Sequence, residues 1–111
     1  MPQNNRHSYL QLIKEKINKE YRRTLKIADL ASDAGISESK LQHDFSAVFG
    51  LCIQDYHIQV RVAVAKDMIE NTNYSMKYIG ILTGYKNPES FTRAFKKATG
   101  LRPSQYRDEF E

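Results

Sequence analysis

Apolar residues recur along this chain at steps of three and four, the spacing of one face of an α-helix. Leu10, Ile13, Ile17 and Tyr21 follow this spacing and predict a first helix over about 8–22. No segment alternates apolar and polar residues as a half-buried strand would. Further helices are predicted at about 27–34, 38–49, 53–70, 76–83 and 88–99, with a short last one from Pro103. The pattern therefore predicts an all-α chain of seven helices.

The longest predicted helix, over 53–70, lies between two similar halves of the chain. Its apolar positions are interpreted as one continuous stripe, formed by Ile53, Tyr56, Val60, Val64 and Met68 and widened by Val62, Ala65 and Ile69. We divide the single domain, residues 1–111, into a first subdomain over 8–52, this linker helix over 53–71 and a second subdomain over 72–111.

The two halves follow nearly the same pattern, once from Leu30 to Tyr56 and again from Ile79 to Arg107. Each copy has a short helix, a glycine turn and a longer helix that ends at a second glycine, which is the pattern of a helix-turn-helix. Gly35 and Gly84 supply the turns, because glycine adopts positive φ without strain. Ser37, Ser75 and Asn87 are predicted N-caps.

The longer helix of each copy is predicted to have one buried face and one polar face. The inward residues lie at four-residue steps: Leu41 and Phe45, then Phe91 and Phe95. Ala31 and Gly80 are the small residues where each short helix would cross its partner. The outward residues are Ser39, Lys40, Gln42 and His43 in the first copy, and Glu89, Ser90, Thr92, Arg93, Lys96 and Lys97 in the second.

Charge favours an anionic partner for the second copy. The 111-residue chain has a net charge of +4 and a pI of about 9.2. Between Lys86 and Arg107 there are six basic residues and one acid, Glu89, whereas the charge of Lys40 in the first copy is cancelled by nearby carboxylates. Charge alone does not separate nucleic acid from an anionic membrane, but no stretch is apolar enough to span a bilayer. The major groove of duplex DNA accepts one α-helix, so the repeat favours DNA.

Other chemistries have little support in the sequence. His7, His43, His57 and Cys52 match no spacing of metal ligands, and the single cysteine cannot form an internal disulfide. No acid/base pair with an arguable pocket and no glycine-rich phosphate loop is present. We therefore expect no enzymatic activity, no metal and no cofactor.

The segment GYKNPESFTRAFKKATGLRPSQYR, residues 84–107, resembles the signature of the AraC/XylS family of bacterial transcription factors. The segment RVAVAKDMI, residues 61–69, resembles the Arg-x3-Ala linker of that family, and the resemblance covers about residues 8–108. It implies a seven-helix domain whose two helix-turn-helix subdomains place recognition helices in successive major-groove segments. The sequence departs from the family pattern at Lys26, where a Ser or Thr cap is usual, at Gly80 and at Arg102.

The resemblance also implies roles for individual residues. The positions that match base-reading residues are Ser39, Gln42, His43, Pro88, Glu89, Ser90 and Arg93. The positions that match phosphate contacts include Ser37, Lys86, Asn87 and Lys96, and their polar or basic character adds Lys40, Thr92, Lys97 and Arg102. We expect Arg93 to bind guanine and Gln42 to bind adenine, with His43 as the second candidate of the first copy.

The expected partner is double-stranded DNA, bound by this chain as a monomer in the bacterial cytoplasm, within the nucleoid. Residues 1–7 resemble an arbitrary linker, so we favour a domain of a larger regulator, which could dimerise through another domain, over a small stand-alone activator. The alternative is a helical module that binds a protein such as RNA polymerase, with DNA contact secondary. Salt discriminates the two, because binding to phosphates weakens steeply with ionic strength.

Overall fold

The computed structural model describes residues 5–110 of the chain. This part contains seven helices and no strand, so the all-α prediction is confirmed there. Side chains are described from Ser8 onward. Residues 1–4 and 111 and the side chain of His7 therefore lie outside the described part. The linker predicted over 1–7 lies mostly outside it as well. The helices are α1 (Asn5–Lys19), α2 (Ile27–Ala34), α3 (Glu38–Phe49), α4 (Ile53–Asn71), α5 (Met76–Leu82), α6 (Pro88–Thr99) and α7 (Pro103–Asp108).

The first helix ends earlier than its apolar spacing predicted. It stops at Lys19, and the chain turns at Glu20, whose carbonyl accepts a hydrogen bond of 3.0 Å from the N–H of Arg23. Tyr21 therefore lies in a turn, and the predicted helix over 8–22 is wrong at that end. The carbonyl of Tyr21 in this turn accepts hydrogen bonds from the side chains of His57 and Arg61 in α4.

The predicted caps fix the starts of three helices. The side chains of Ser37, Ser75 and Asn87 accept hydrogen bonds of 3.1, 3.1 and 2.8 Å from backbone N–H groups three residues later. Each bond satisfies a donor that the first helical turn leaves without a partner. At Lys26, where the family pattern has a hydroxyl residue, α2 has no side-chain cap.

The two copies share their turn geometry. In the first, the N–H of Ile36 donates to the carbonyl of Ala31 at 3.1 Å, and in the second, Tyr85 donates to Gly80 at 3.0 Å. A Cβ on Gly80 would lie 3.2 Å from the ring of Phe91. The crossing of α5 and α6 is therefore too close for a larger residue without movement of that ring, as the sequence predicted.

The apolar residues form two cores, one on each side of the linker helix. The first consists of Leu10, Ile13, Ile17, Leu30, Ala31, Leu41, Phe45 and Ile53, and the second of Val62, Ala65, Ile69, Ile79, Phe91 and Phe95. The prediction of one stripe along α4 is therefore wrong: the helix buries one face near its start and a different face beyond its middle. Val64, assigned to the stripe, is only half-buried.

The molecule is elongated, with extents of 52 × 25 × 20 Å. Within residues 5–110, no helix combines the length and apolar character needed to cross a membrane.

Candidate nucleic-acid interface

Helix α6 presents one polar face to solvent. Phe91 and Phe95 are buried, and Arg93 is two residues from each of them, about 200° around a helix. Arg93 therefore points away from the core at the centre of the exposed face, with Glu89 and Lys96 exposed beside it. The centre of the exposed face is the position from which a long polar side chain reaches farthest into a groove of DNA.

Six of the predicted DNA-contact residues line one shallow, open concavity. They are Pro88, Glu89, Thr92, Arg93, Lys96 and Arg102. Arg102 reaches this place from the start of α7, whose Gln105 side chain accepts a hydrogen bond of 2.8 Å from the N–H of Arg102. The structure thus brings residues from two helices to a single surface, which we call the α6 face.

Four further predicted residues lie around this surface. Lys86 and Asn87 are exposed just before α6, and Ser90 is half-buried in its first turn. Lys97 is exposed but lines a different groove, between α4 and α6, together with Ala94 and Ala98. Lys97 therefore lies at the edge of the α6 face.

One of the six basic residues of the second copy is a structural anchor. Arg107 donates hydrogen bonds of 2.6 and 3.3 Å to the carbonyl oxygens of Tyr74 and Thr72, which follow the end of α4. Nearby, the hydroxyl of Tyr106 donates a hydrogen bond of 2.6 Å to Glu70, and this bond raises the pKa of Tyr106 to about 12. The other five basic residues, Lys86, Arg93, Lys96, Lys97 and Arg102, are exposed.

Helix α3 repeats the arrangement with different side chains. His43 is two residues from the buried Leu41 and Phe45, so it lies opposite the core, as Arg93 does in α6. Ser39 is exposed on the same face, whereas Gln42, the preferred base reader of this copy, is half-buried on the flank. His43 thus has the more direct access to a partner.

The one cation among the outward residues of α3 is neutralised by a carboxylate. The Nζ of Lys40 is 3.2 Å from the Oδ2 of Asp44, and the hydroxyl of Tyr9 donates a hydrogen bond of 3.0 Å to the same oxygen. Asp44 is buried, with 3% of its surface exposed. A buried carboxylate needs such partners, so Lys40 is less available to phosphate than the sequence suggested.

Sequence reasoning assigned no role to His57, which is buried in α4. Its Nε2 lies 2.8 Å from the carbonyl oxygen of Tyr21, an arrangement in which the neutral ring donates its N–H. Burial lowers the pKa of His57 below its ordinary value of 6.5, although the bond to Tyr21 acts in the opposite direction. The apolar spacing of α4 could not reveal this contact, because its partner is 36 residues earlier.

Metal chemistry has no candidate site among the described side chains, where no cluster of three or more His, Cys, Asp or Glu residues could hold an ion. The free thiol of Cys52 has a local role instead. Its Sγ accepts a hydrogen bond of 3.4 Å from the N–H of Asp55 and caps α4.

Comparison with known proteins relates both the sequence and the fold to regulators. A family model described as a helix-turn-helix domain matches residues 30–109. The Msm operon regulatory protein of Streptococcus mutans is 30% identical over 104 residues, which are 94% of this chain and 37% of that protein. The chain spans less than half the length of the curated relatives it matches.

Solved structures share the fold at lower sequence identity. An AraC-type transcriptional regulator from Chromobacterium violaceum superposes with a TM-score of 0.84 at 19% identity, over 94% of this chain and 93% of that one. The DNA-binding domain of AdpA, solved in complex with a target DNA, superposes with a TM-score of 0.78 at 19% identity, over 97% and 94% of the two chains. The arrangement of two helix-turn-helix units is therefore shared with these proteins.

Proposed function

The chain belongs to the AraC-type family of helix-turn-helix transcription regulators, and from this premise we propose how it binds DNA. One chain binds double-stranded DNA sequence-specifically, with α3 and α6 inserted in successive major-groove segments on one face of the duplex. Transcription of nearby genes is regulated through this binding. The observation that carries the proposal is the α6 face, where an outward arginine and exposed lysines lie on a helix of the right size for the groove.

The dimensions of the molecule support a two-helix contact. One turn of duplex is about 34 Å long, and the 52 Å long axis of the chain exceeds that length. The two recognition helices are built alike and are joined by one continuous helix, α4. A single chain would then cover two unlike boxes, and its site would not be palindromic.

Base reading is proposed for the residues that lie on the outward faces of α3 and α6. In α6, the guanidinium of Arg93 would donate two hydrogen bonds, to the O6 and N7 atoms of guanine. Pro88, Glu89 and Ser90 are the other candidates on this helix. In α3, Ser39, Gln42 and His43 are the candidates, and the exposure of His43 makes it a stronger partner of a base edge than the sequence suggested.

Phosphate binding is proposed for residues around these faces: Ser37, Lys40, Lys86, Asn87, Thr92, Lys96, Lys97 and Arg102. Ser37 and Asn87 already cap their helices through their side chains. Their contribution would come from the N-terminal ends of α3 and α6, where backbone N–H groups and the helix dipole attract anions. Lys40 would contribute least, because Asp44 balances its charge.

The proposal extends to partners and place of action. The chain would act on DNA as a monomer within the bacterial nucleoid, and RNA polymerase is the protein that a regulator bound beside a promoter would meet. Dimerisation would belong to other parts of a longer regulator.

The salt dependence of DNA binding tests the electrostatic part of this function. Lys96→Ala combined with Lys97→Ala should make the plot of log affinity against log salt less steep. The magnitude of its slope should decrease by about one unit for each DNA phosphate that the variant no longer neutralises. Lys40→Ala is the matched control and should change the slope less. The measurement is a fluorescence anisotropy titration at several salt concentrations. DNA affinity that is weak and barely responds to salt would contradict this proposal and leave the alternative of a protein-binding module.

A further inference from the structure

Arg61, near the middle of α4, contacts the loop that joins α1 and α2. Its Nε donates a hydrogen bond of 2.7 Å to the carbonyl oxygen of Tyr21, and its Nη2 donates one of 3.0 Å to that of Arg23. A guanidinium presents several donors in one rigid plane, so a single side chain can hold two carbonyls. The first subdomain is thereby attached to the linker helix beyond its apolar core.

The same guanidinium lies against the second subdomain. Its Cζ is 4.9 Å from the centre of the Tyr85 ring, just after the turn between α5 and α6. Gly84 in that turn has a φ of 102°, and a Cβ there would lie 2.7 Å from the Nη2 of Arg61 and 2.6 Å from the carbonyl oxygen of Arg22. The absence of a side chain at Gly84 therefore lets loop, linker helix and turn meet, and we call this meeting point the Arg61 joint.

The Arg61 joint lies where it can restrict the relative orientation of the two subdomains. Among the described residues, the two hydrophobic cores have no member in common, so the subdomains are connected chiefly through α4. A helix fixes the distance between its ends, but each subdomain could still rock on it within its own packing. A side chain that holds the loop of one subdomain and the turn of the other opposes that motion.

We propose that Arg61 is a positioning residue that fixes α3 relative to α6, and thereby sets which spacing between two DNA boxes the chain accepts. The inference rests on the proposed function, because it requires both helices on one duplex. Each base pair added between the boxes moves one of them by about 3.4 Å and about a tenth of a turn. A rigid joint makes affinity depend sharply on spacing, and a loosened joint makes it depend weakly.

Affinity measured across duplexes that differ only in box spacing, together with a duplex that carries one box, tests this role. The unaltered chain should lose at least about tenfold in affinity when one base pair is added or removed, a loss comparable to that from one mismatched base pair. Arg61→Met keeps the stem but removes the donors, and its affinity should vary less than about threefold over the same series. Its affinity for the one-box duplex should remain within about twofold. A profile parallel to that of the unaltered chain would overturn the proposal.

Arg23→Met provides the matched control. It removes an arginine from the same loop, but the exposed Arg23 side chain pairs only loosely with Glu20, at 3.8 Å, and the carbonyl that Arg61 binds is retained. The spacing profile of this variant should match that of the unaltered chain. A flattened profile would overturn the role of Arg61, because charge loss in the loop would then explain the effect.

A measurement without DNA separates this inference from the proposed function. Nitroxide labels on cysteines introduced at the exposed Ala47 and Ala98, in a Cys52→Ser background, report the distance between α3 and α6. Arg61→Met should broaden the distance distribution, and Arg23→Met should not. An unchanged distribution in Arg61→Met overturns the proposal. If the unaltered chain binds two boxes no more tightly than one, the proposed two-box function fails instead, and the label distances still test whether Arg61 fixes the helices.

Discussion

Arg93 and His43 occupy equivalent places on two helices but offer different chemistry to a partner. Both lie about 200° from two buried residues of their own helix, so both point outward from its centre. The arginine fork donates two parallel hydrogen bonds, whereas a histidine ring offers one donor and one acceptor when neutral. We expect the second copy to contribute the more discriminating single contact.

Arg93→Ala should weaken binding to the best site by about 1–3 kcal/mol and relax the preference at one or two base positions. The reason is that a bidentate bond to one base pair is removed. Selection from a random duplex pool, followed by titration of the best site and single-base variants, measures both effects. Lys86→Ala is the control and should weaken all sequences alike. Equal weakening by Arg93→Ala on every sequence would make Arg93 a phosphate contact.

His57 makes the stability of the fold depend on pH, because burial lowers its pKa below the ordinary value of 6.5. As pH falls below about 6.5, the unfolded chain takes up a proton on this ring before the folded chain does. The folded state therefore loses stability toward acid, by at most about 1.4 kcal/mol for each pH unit from this one group. Above that pH the ring is neutral in both states and contributes no pH dependence.

His57→Gln retains a side-chain donor but cannot titrate, so it should flatten the loss of stability between about pH 7 and about pH 5. Urea unfolding at a series of pH values measures the free energy of unfolding. Gln59→Ala, at an exposed and non-titrating position on the same helix, should leave the pH dependence as it is. The same acid slope in His57→Gln and the unaltered chain would show that other groups cause it.

At the scale of elements, α3 and α6 are held by aromatic residues that the repeat places at matching positions. Phe45 and Phe95 are both fully buried, and each packs against neighbouring rings: Phe49 and Tyr56 in the first core, Phe91 and Tyr106 in the second. The recognition helices are thus oriented by the same contacts that stabilise the cores.

Phe45→Ala and Phe95→Ala should each lower the free energy of unfolding by about 3–5 kcal/mol, because each leaves a ring-sized cavity. Chemical denaturation monitored by circular dichroism measures the decrease. Phe110→Ala removes a ring that is 55% exposed and should cost far less. Full stability in both core variants would mean that the inward faces are assigned incorrectly.

At the scale of the whole molecule, two similar subdomains on one helix would make a bidentate DNA-binding surface, as proposed above. We expect two unlike boxes centred about 10 base pairs apart, one turn of duplex. Because the exposed basic residues of the second copy lie on or beside the α6 face, that half would supply most of the affinity that does not depend on sequence. The α3 half, with Lys40 paired to Asp44, would add specificity more than attraction.

Insertion of five base pairs between the boxes should lower affinity to that of a duplex with one box. The insertion rotates one box by about half a turn, to the opposite face of the DNA, where the second helix cannot reach it. Titration of the three duplexes side by side measures the effect. Undiminished affinity would contradict the two-helix contact and indicate binding through one subdomain alone.

Local sequence determined where three of the helices begin and which faces of α3 and α6 point outward. Ser37, Ser75 and Asn87 cap their helices as predicted, because a cap involves residues only three positions apart. The outward position of Arg93 follows from its spacing relative to Phe91 and Phe95 within one helix. Such relations are fixed by the geometry of a single helix and require no knowledge of the fold.

Tertiary structure alone decided the contacts between segments distant in the chain. The bonds of His57 and Arg61 to the carbonyl of Tyr21 span 36 and 40 residues. These bonds hold the turn after α1 against α4, and the apolar spacing of α1 could not reveal them. Likewise, two cores on different faces replaced the single stripe expected along α4. Spacing along a sequence reports periodicity within a helix, but the partner of a buried polar side chain is whichever backbone group the packing of other helices brings near it.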